Sequence, residues 1–100
     1  MIKGAKISLG GQEWILPPLN LEDLEKYWGF ISGKEQPTEP MEIFLITAEV
    51  IHAALKRNYP DITLIELKKH FDIPTLKQLL ADLQKASGLV DISGETPGET

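Results

Sequence analysis

The sequence predicts an α+β domain, mainly α, in which an N-terminal β-hairpin is followed by about four helices packed around one long apolar helix. Three observations carry that expectation. Residues 2–16 alternate apolar and polar side chains about a central Gly10-Gly11 pair, the period of a half-buried hairpin. Residues 20–88 switch to apolar spacings of three and four, broken at positions that bear proline or glycine. With 100 residues and 42% hydrophobic content, the chain can build one small core and no second domain. Residues 1–90 are accordingly expected to form a single globular domain and residues 91–100 a flexible tail.

The hairpin rests on Ile7 and Leu9 in one arm and Trp14 and Leu16 in the other, each pair two residues apart. Gly10-Gly11 can take the positive φ angles that a two-residue turn requires. Pro17-Pro18 ends the second arm, because neither proline can donate to a ladder.

Asn20 is suited to cap the first helix by accepting from the amide of Asp23, with Glu22 and Asp23 at its positive end. Leu19 and Leu24 stand where a hydrophobic staple would place them. Leu21, Leu24, Trp28 and Ile31 then predict one buried stripe, and Gly33 ends the helix. The segment 33–40, GKEQPTEP, reads as a polar loop.

A long helix is expected from about Glu39 or Pro40 to about Arg57, with Pro40 in the first turn where its missing N–H costs nothing. Ile43, Phe44, Ile46, Thr47, Val50, Ile51, Ala54 and Leu55 give it an apolar face wider than one neighbour would cover. Leu45, Ala48 and Ala53 widen it further. Asn58-Tyr59-Pro60-Asp61 then breaks the chain, since Pro60 disfavours a helical Tyr59. Thr63 and Glu66 form a capping box for a helix from Leu64 to about Phe71. Asp72-Ile73 is an elbow, and Pro74 begins a last helix whose seam is Leu76, Leu79, Leu80 and Leu83, stopped by Gly88.

Composition narrows the chemistry. The chain has no cysteine, which excludes disulfides, thiolate metal sites and cysteine nucleophiles. Nothing in it approaches the length of an apolar membrane span, and its first residues lack the apolar core of a secretory signal. The net charge is −5, distributed as +1 over residues 1–20, −3 over 21–60, zero over 61–88 and −3 over 89–100. No segment carries the basic footprint of a nucleic-acid binder.

The last two helices nonetheless have the outline of a helix-turn-helix. Lys77 and Gln78 could reach base edges, but Asp82 would repel phosphate and the segment has no arginine. Two helices packed on the long apolar one is the favoured reading of this corner.

Catalytic signatures are equally thin. His52 follows Glu49 and His70 precedes Asp72, but neither HExxH nor a third and fourth ligand accompanies them. Glu22, Asp23 and Glu25 occupy a first helical turn, where carboxylates cap. Gly10-Gly11 belongs to no phosphate-binding motif. The expectation is a non-enzymatic protein, with no catalytic, cofactor-binding or metal-binding residue assigned and no cofactor, nucleic acid or membrane among its partners.

Two features exceed what a bare core needs: the broad face of the long helix, and the aromatic group Tyr27, Trp28 and Phe30, of which only Trp28 lies on the predicted stripe. Together they suggest a docking surface for an apolar helix of a partner, or for a second copy of the chain. Its candidate residues are Ile43, Leu45, Ile46 and Val50, with Tyr27 and Phe30 at the rim.

Three stretches carry a resemblance to a known family. They are GGQEWILPPLNL, matched from Gly11 to Leu21, the region from Ala53 to Leu67 containing ALKRNYPDIT, and the segment from Leu80 to Gly88 ending in ASG. They resemble the tail assembly chaperones of long-tailed bacteriophages, and together cover about a third of the chain. The loop GKEQPTEP and the segment after Gly88 match nothing in that pattern.

The resemblance implies a non-enzymatic phage or prophage protein acting in the bacterial host cytoplasm and absent from the mature virion. Its implied partners are the tape-measure protein, which it would keep soluble, and the tail-tube protein, which it would help recruit. A frameshifted longer form, attached through LVDISGETPGET, is a further implication. The alternatives are a small helix-turn-helix DNA-binding regulator and a self-associating minor tail or head-completion structural protein.

Overall fold

The computed structural model of the chain describes residues 1–88, so the predicted tail lies outside the described residues. Strands β1 (Ala5–Leu9) and β2 (Gln12–Leu16) pair antiparallel, with Ile7 opposite Trp14 and Leu9 opposite Gln12. Gly10 and Gly11 turn the chain with φ of 58° and 78°, a backbone that a side chain would strain. The period of two turns Ile7, Leu9 and Leu16 into the core and half-buries Trp14.

Five helices follow: α1 (Leu21–Lys26), α2 (Trp28–Ile31), α3 (Pro40–Leu55), α4 (Leu64–Lys68) and α5 (Ile73–Ala86). Both expected N-cap bonds form, without the reciprocal Glu66 bond of a full capping box among the described residues. Asn20 accepts from the amide of Asp23 at 2.8 Å, and Thr63 accepts from that of Glu66 at 3.1 Å. A third cap was not anticipated: Asp72 accepts from the amide of Thr75 at 2.8 Å, so α5 opens at Ile73.

The first helix departs from expectation. It is interrupted at Tyr27 (φ −103°, ψ 10°), and its core side is not the predicted one. Leu21 is 79% and Trp28 42% exposed, while Leu24, Tyr27, Phe30 and Ile31 pack against the core. Two apolar stripes overlap in this sequence and share Leu24 and Ile31. Packing of Tyr27 and Phe30 against the core selects the second.

The core is shared and does not encircle one helix. From α3 come Val50, Ile51, Ala54 and Leu55, from α5 Leu79 and Leu83, and the hairpin and Leu67 of α4 close it. His52 ties α4 down, its Nε2 lying 3.0 Å from the carbonyl oxygen of Ile62. Among the described residues, no helix is long and apolar enough to cross a membrane.

Two of the stretches behind the family resemblance meet in space. Arg57 donates to the carbonyl of Pro18 through Nη1 at 2.6 Å. Asn58 Nδ2 donates to the carbonyl of Ile15 at 3.3 Å, and the amide of Ile15 donates to the hydroxyl of Tyr59 at 2.8 Å. In this register Ile15 directs its backbone groups to the open side of β2, so Asn58 and Tyr59 satisfy a sheet edge. The Tyr59 ring also meets Trp14 edge-on, with centroids 4.9 Å apart. The Arg-Asn-Tyr run is a clasp between helix α3 and the hairpin.

Candidate partner-binding grooves

Helix α3 buries its apolar face unevenly. Ile43, Thr47, Val50, Ile51 and Ala54 recur at helical spacing and share one side. From Thr47 onward that side is enclosed by the hairpin, α4 and α5. One turn earlier the cover runs out, and Ile43 and Phe44 are only half-buried. The gap they leave is a groove of about 310 Å³, walled by Phe30 and Ile31 on one side and by Leu76 and Leu80 of α5 on the other. Thr47 lies at its floor, with its hydroxyl donating to the carbonyl of Ile43 at 2.8 Å. That polar atom is therefore spent, and the groove offers mainly apolar contact.

A second hollow of about 460 Å³ lies beyond Phe30, lined by Tyr27, Ile46, Lys26, Glu35 and Glu49. Phe30 and Gln36 border both. Phe30 is thus the ridge between an apolar groove and a charged-rimmed one. The loop after α2 holds this ridge. Glu35 donates its amide to the carbonyl of Gly29 at 2.9 Å, and Gln36 donates through Nε2 to that of Phe30 at 3.0 Å. A Cβ on Gly29 would make the end of the exposed Glu35 side chain swing aside.

The six expected docking residues divide accordingly. Phe30 and Ile43 line the apolar groove, while Tyr27, Phe30 and Ile46 line its neighbour. Leu45 is 39% exposed but borders neither. Val50 is a correction: it is 0% exposed, because its position on α3 faces the hairpin and α5 rather than solvent. Such a residue supports the fold and cannot touch a partner while the domain is intact.

Sequence reasoning did not assign Phe44, Leu76 and Leu80 to the site, though they form much of the groove wall. Phe44 was legible as part of the broad face of α3. Nothing in the α5 seam distinguished Leu80, half-buried in the groove, from Leu79 and Leu83, fully enclosed. Tyr27 and Phe30 are half-buried, while Trp28, expected inside, is the exposed aromatic.

His52 and His70 serve structural contacts, the first on the Ile62 carbonyl and the second against the Gly10 turn. Among the described residues no three His, Asp or Glu side chains come together as a metal site would require. Comparison with protein-family models, with curated proteins and with solved structures finds no match to this chain.

Proposed function

We propose that this chain is a non-enzymatic tail assembly chaperone of a long-tailed bacteriophage. It works in the host cytoplasm, holds an amphipathic segment of the tape-measure protein and helps bring tail-tube subunits to it. The family resemblance of the segments around Gly11–Leu21 and Ala53–Leu67 supplies the identity of the client. The observation that supports the mode of action is the incompletely covered apolar turn of α3 at Ile43 and Phe44, flanked by α2 and α5.

A helix laid along such a groove presents residues at spacings of three and four, and one or two large aliphatic side chains would enter beside Phe44 and Leu80. The neighbouring hollow, with Lys26, Glu35 and Glu49 at its edge, would take the polar flank of the same helix. The acidic balance of the chain keeps a complex with apolar surface soluble.

Co-expression with the tape-measure protein tests this reading. The unaltered chain is expected to keep the client in the soluble fraction, and Ile46→Asp and Phe44→Asp to lose that effect while retaining the helical circular dichroism of the parent. A client that stays insoluble beside the unaltered chain removes the chaperone assignment. A client held equally well by both folded variants removes the grooves.

A further inference from the structure

The two edges of the hairpin end differently. Along β2, Asn58 and Tyr59 bond the outward-facing backbone groups of Ile15. Along β1, Lys6 and Ser8 stand opposite Ile15 and Glu13, so their amides and carbonyls also point away from the ladder. Among the described residues no hydrogen bond reaches these groups, and both residues are exposed. Helix α5 does not close this edge: an open hollow of about 390 Å³ separates Lys6 and Ser8 from Thr75, Gln78 and Asp82. Unpaired backbone groups in such a row are a template for one more strand.

We propose that this strand is β1 of a second copy of the chain, so that two hairpins join into a four-stranded antiparallel sheet about a two-fold axis at Ile7. A two-fold contact must be self-complementary, and this edge is. Lys6 comes to lie opposite Ser8 of the second copy, and Ser8 opposite its Lys6, so the outward amides and carbonyls of both residues bond across the axis. The side chains match as well. Ile7 and Leu9 face the core, which puts Lys6, Ser8 and Glu13 on the other face of the hairpin. Each row on that face then runs from Glu13 through Ser8 to Lys6 of the second copy. Its outer members are about 10 Å apart at the backbone, with only a serine between them, a gap that a lysine and a glutamate side chain together span. Neither Lys6 nor Glu13 has an ion partner among the described residues. A lysine on an edge strand ordinarily deters pairing. Here it rejects the register that sets Lys6 against Lys6, while the register centred on Ile7 brings each lysine to a carboxylate.

Sedimentation equilibrium of the full chain tests this contact, and the parent is expected to dimerise. Lys6→Glu and Glu13→Lys should each weaken the dimer about tenfold, because two attractive surface pairs become repulsive. An equimolar mixture of these two variants should recover the parent affinity, since every row of the mixed dimer again joins a lysine to a glutamate. Charge effects within one chain cannot produce that recovery. Ser8→Pro removes an outward amide that the hairpin does not use, and should leave a monomer with the circular dichroism of the parent. A parent that stays monomeric at millimolar concentration overturns the proposal, as does a mixture no tighter than its components or a folded Ser8→Pro variant that still dimerises. A dimer dispersed by Phe44→Asp and indifferent to Lys6→Glu would place the contact in the α3 groove and overturn it too. No client is present, so the outcome is independent of whether the chaperone reading stands.

Discussion

Asn58 and Ile2, fifty-six positions apart, exchange two hydrogen bonds: the amide of Ile2 donates to Asn58 Oδ1 at 2.7 Å, and Asn58 Nδ2 donates to the Ile2 carbonyl at 2.8 Å. The carboxamide thereby acts as one residue of an extra strand. It holds the N-terminal segment beside the hairpin while its Nδ2 also reaches the carbonyl of Ile15.

Replacing Asn58 by alanine removes all three bonds, with an expected loss of about 1–2 kcal/mol, since such bonds contribute roughly 0.5–1.5 kcal/mol each and part of this site is solvated. Asn58→Asp keeps an acceptor for the Ile2 amide and loses both donors, so it should fall between parent and alanine variant. Urea denaturation measures the ranking. An aspartate variant as stable as the parent would show that the two donated bonds contribute nothing.

Tyr59→Phe separates the two roles of that side chain. The ring keeps its edge contact with Trp14, and the Ile15 amide loses its acceptor. The expected cost is about 1 kcal/mol, with faster hydrogen exchange confined to Ile15 and its neighbours. Exchange that accelerates throughout the hairpin would instead mean that the ring contact had been lost too.

The two glycines of the hairpin turn are not equivalent. Both have positive φ, but a Cβ on Gly10 would sit 2.8 Å from Cε1 of His70, whereas one on Gly11 meets nothing. Gly11→Ala should cost about 1–2 kcal/mol from backbone strain alone. Gly10→Ala should cost more, and His70→Ala should recover the difference for Gly10→Ala while leaving the cost of Gly11→Ala unchanged. A double-mutant cycle with no coupling between positions 10 and 70 would refute the contact.

Position along α3 should decide the consequence of a new charge. Val50→Asp places an unpaired carboxylate in the core and is expected to cost on the order of 3–5 kcal/mol, enough to unfold a domain of this size. Leu45→Asp, at an exposed site, should change stability by no more than about 0.5 kcal/mol. Thermal melts of the two variants give the comparison directly.

Acid should act on the start of α5. The hydrogen bond from the Thr75 hydroxyl, and then that from its amide, hold the Asp72 carboxyl below its ordinary value. A carboxylate whose pKa is lower folded than unfolded contributes stability that is fully present above its unfolded value, near about 3.9, and disappears as the pH falls through the lower folded value. Asp72→Asn keeps a capping oxygen and loses the titration. Its stability should match the parent under acid conditions better than at neutral pH, and an unchanged acid limb in the parent–variant difference would rule the cap out as a source of pH dependence.

Local rules made much of this architecture readable before any coordinates. Gly10-Gly11, Asn20, Thr63 with Glu66, Pro40 and Gly88 act within a few residues of themselves, so the turn, two caps, the start of α3 and the end of α5 followed from short stretches. The alternation through Ile7, Leu9 and Leu16 likewise required only the geometry of a strand. A candidate surface on α3 was also visible, because its apolar face is too broad for one neighbour.

Tertiary contacts decided the rest. Leu24 and Ile31 belong to two possible stripes, and only the packing of Tyr27 and Phe30 against the core turned Trp28 outward. Val50 and Ile43 lie on the same side of one helix, yet one is enclosed and the other lines a groove, since the hairpin, α4 and α5 cover only part of that helix. Leu80 joined the groove through the placement of α5 against α3. Periodicity tells which residues share a face; how far along that face the neighbours extend depends on residues remote in the chain.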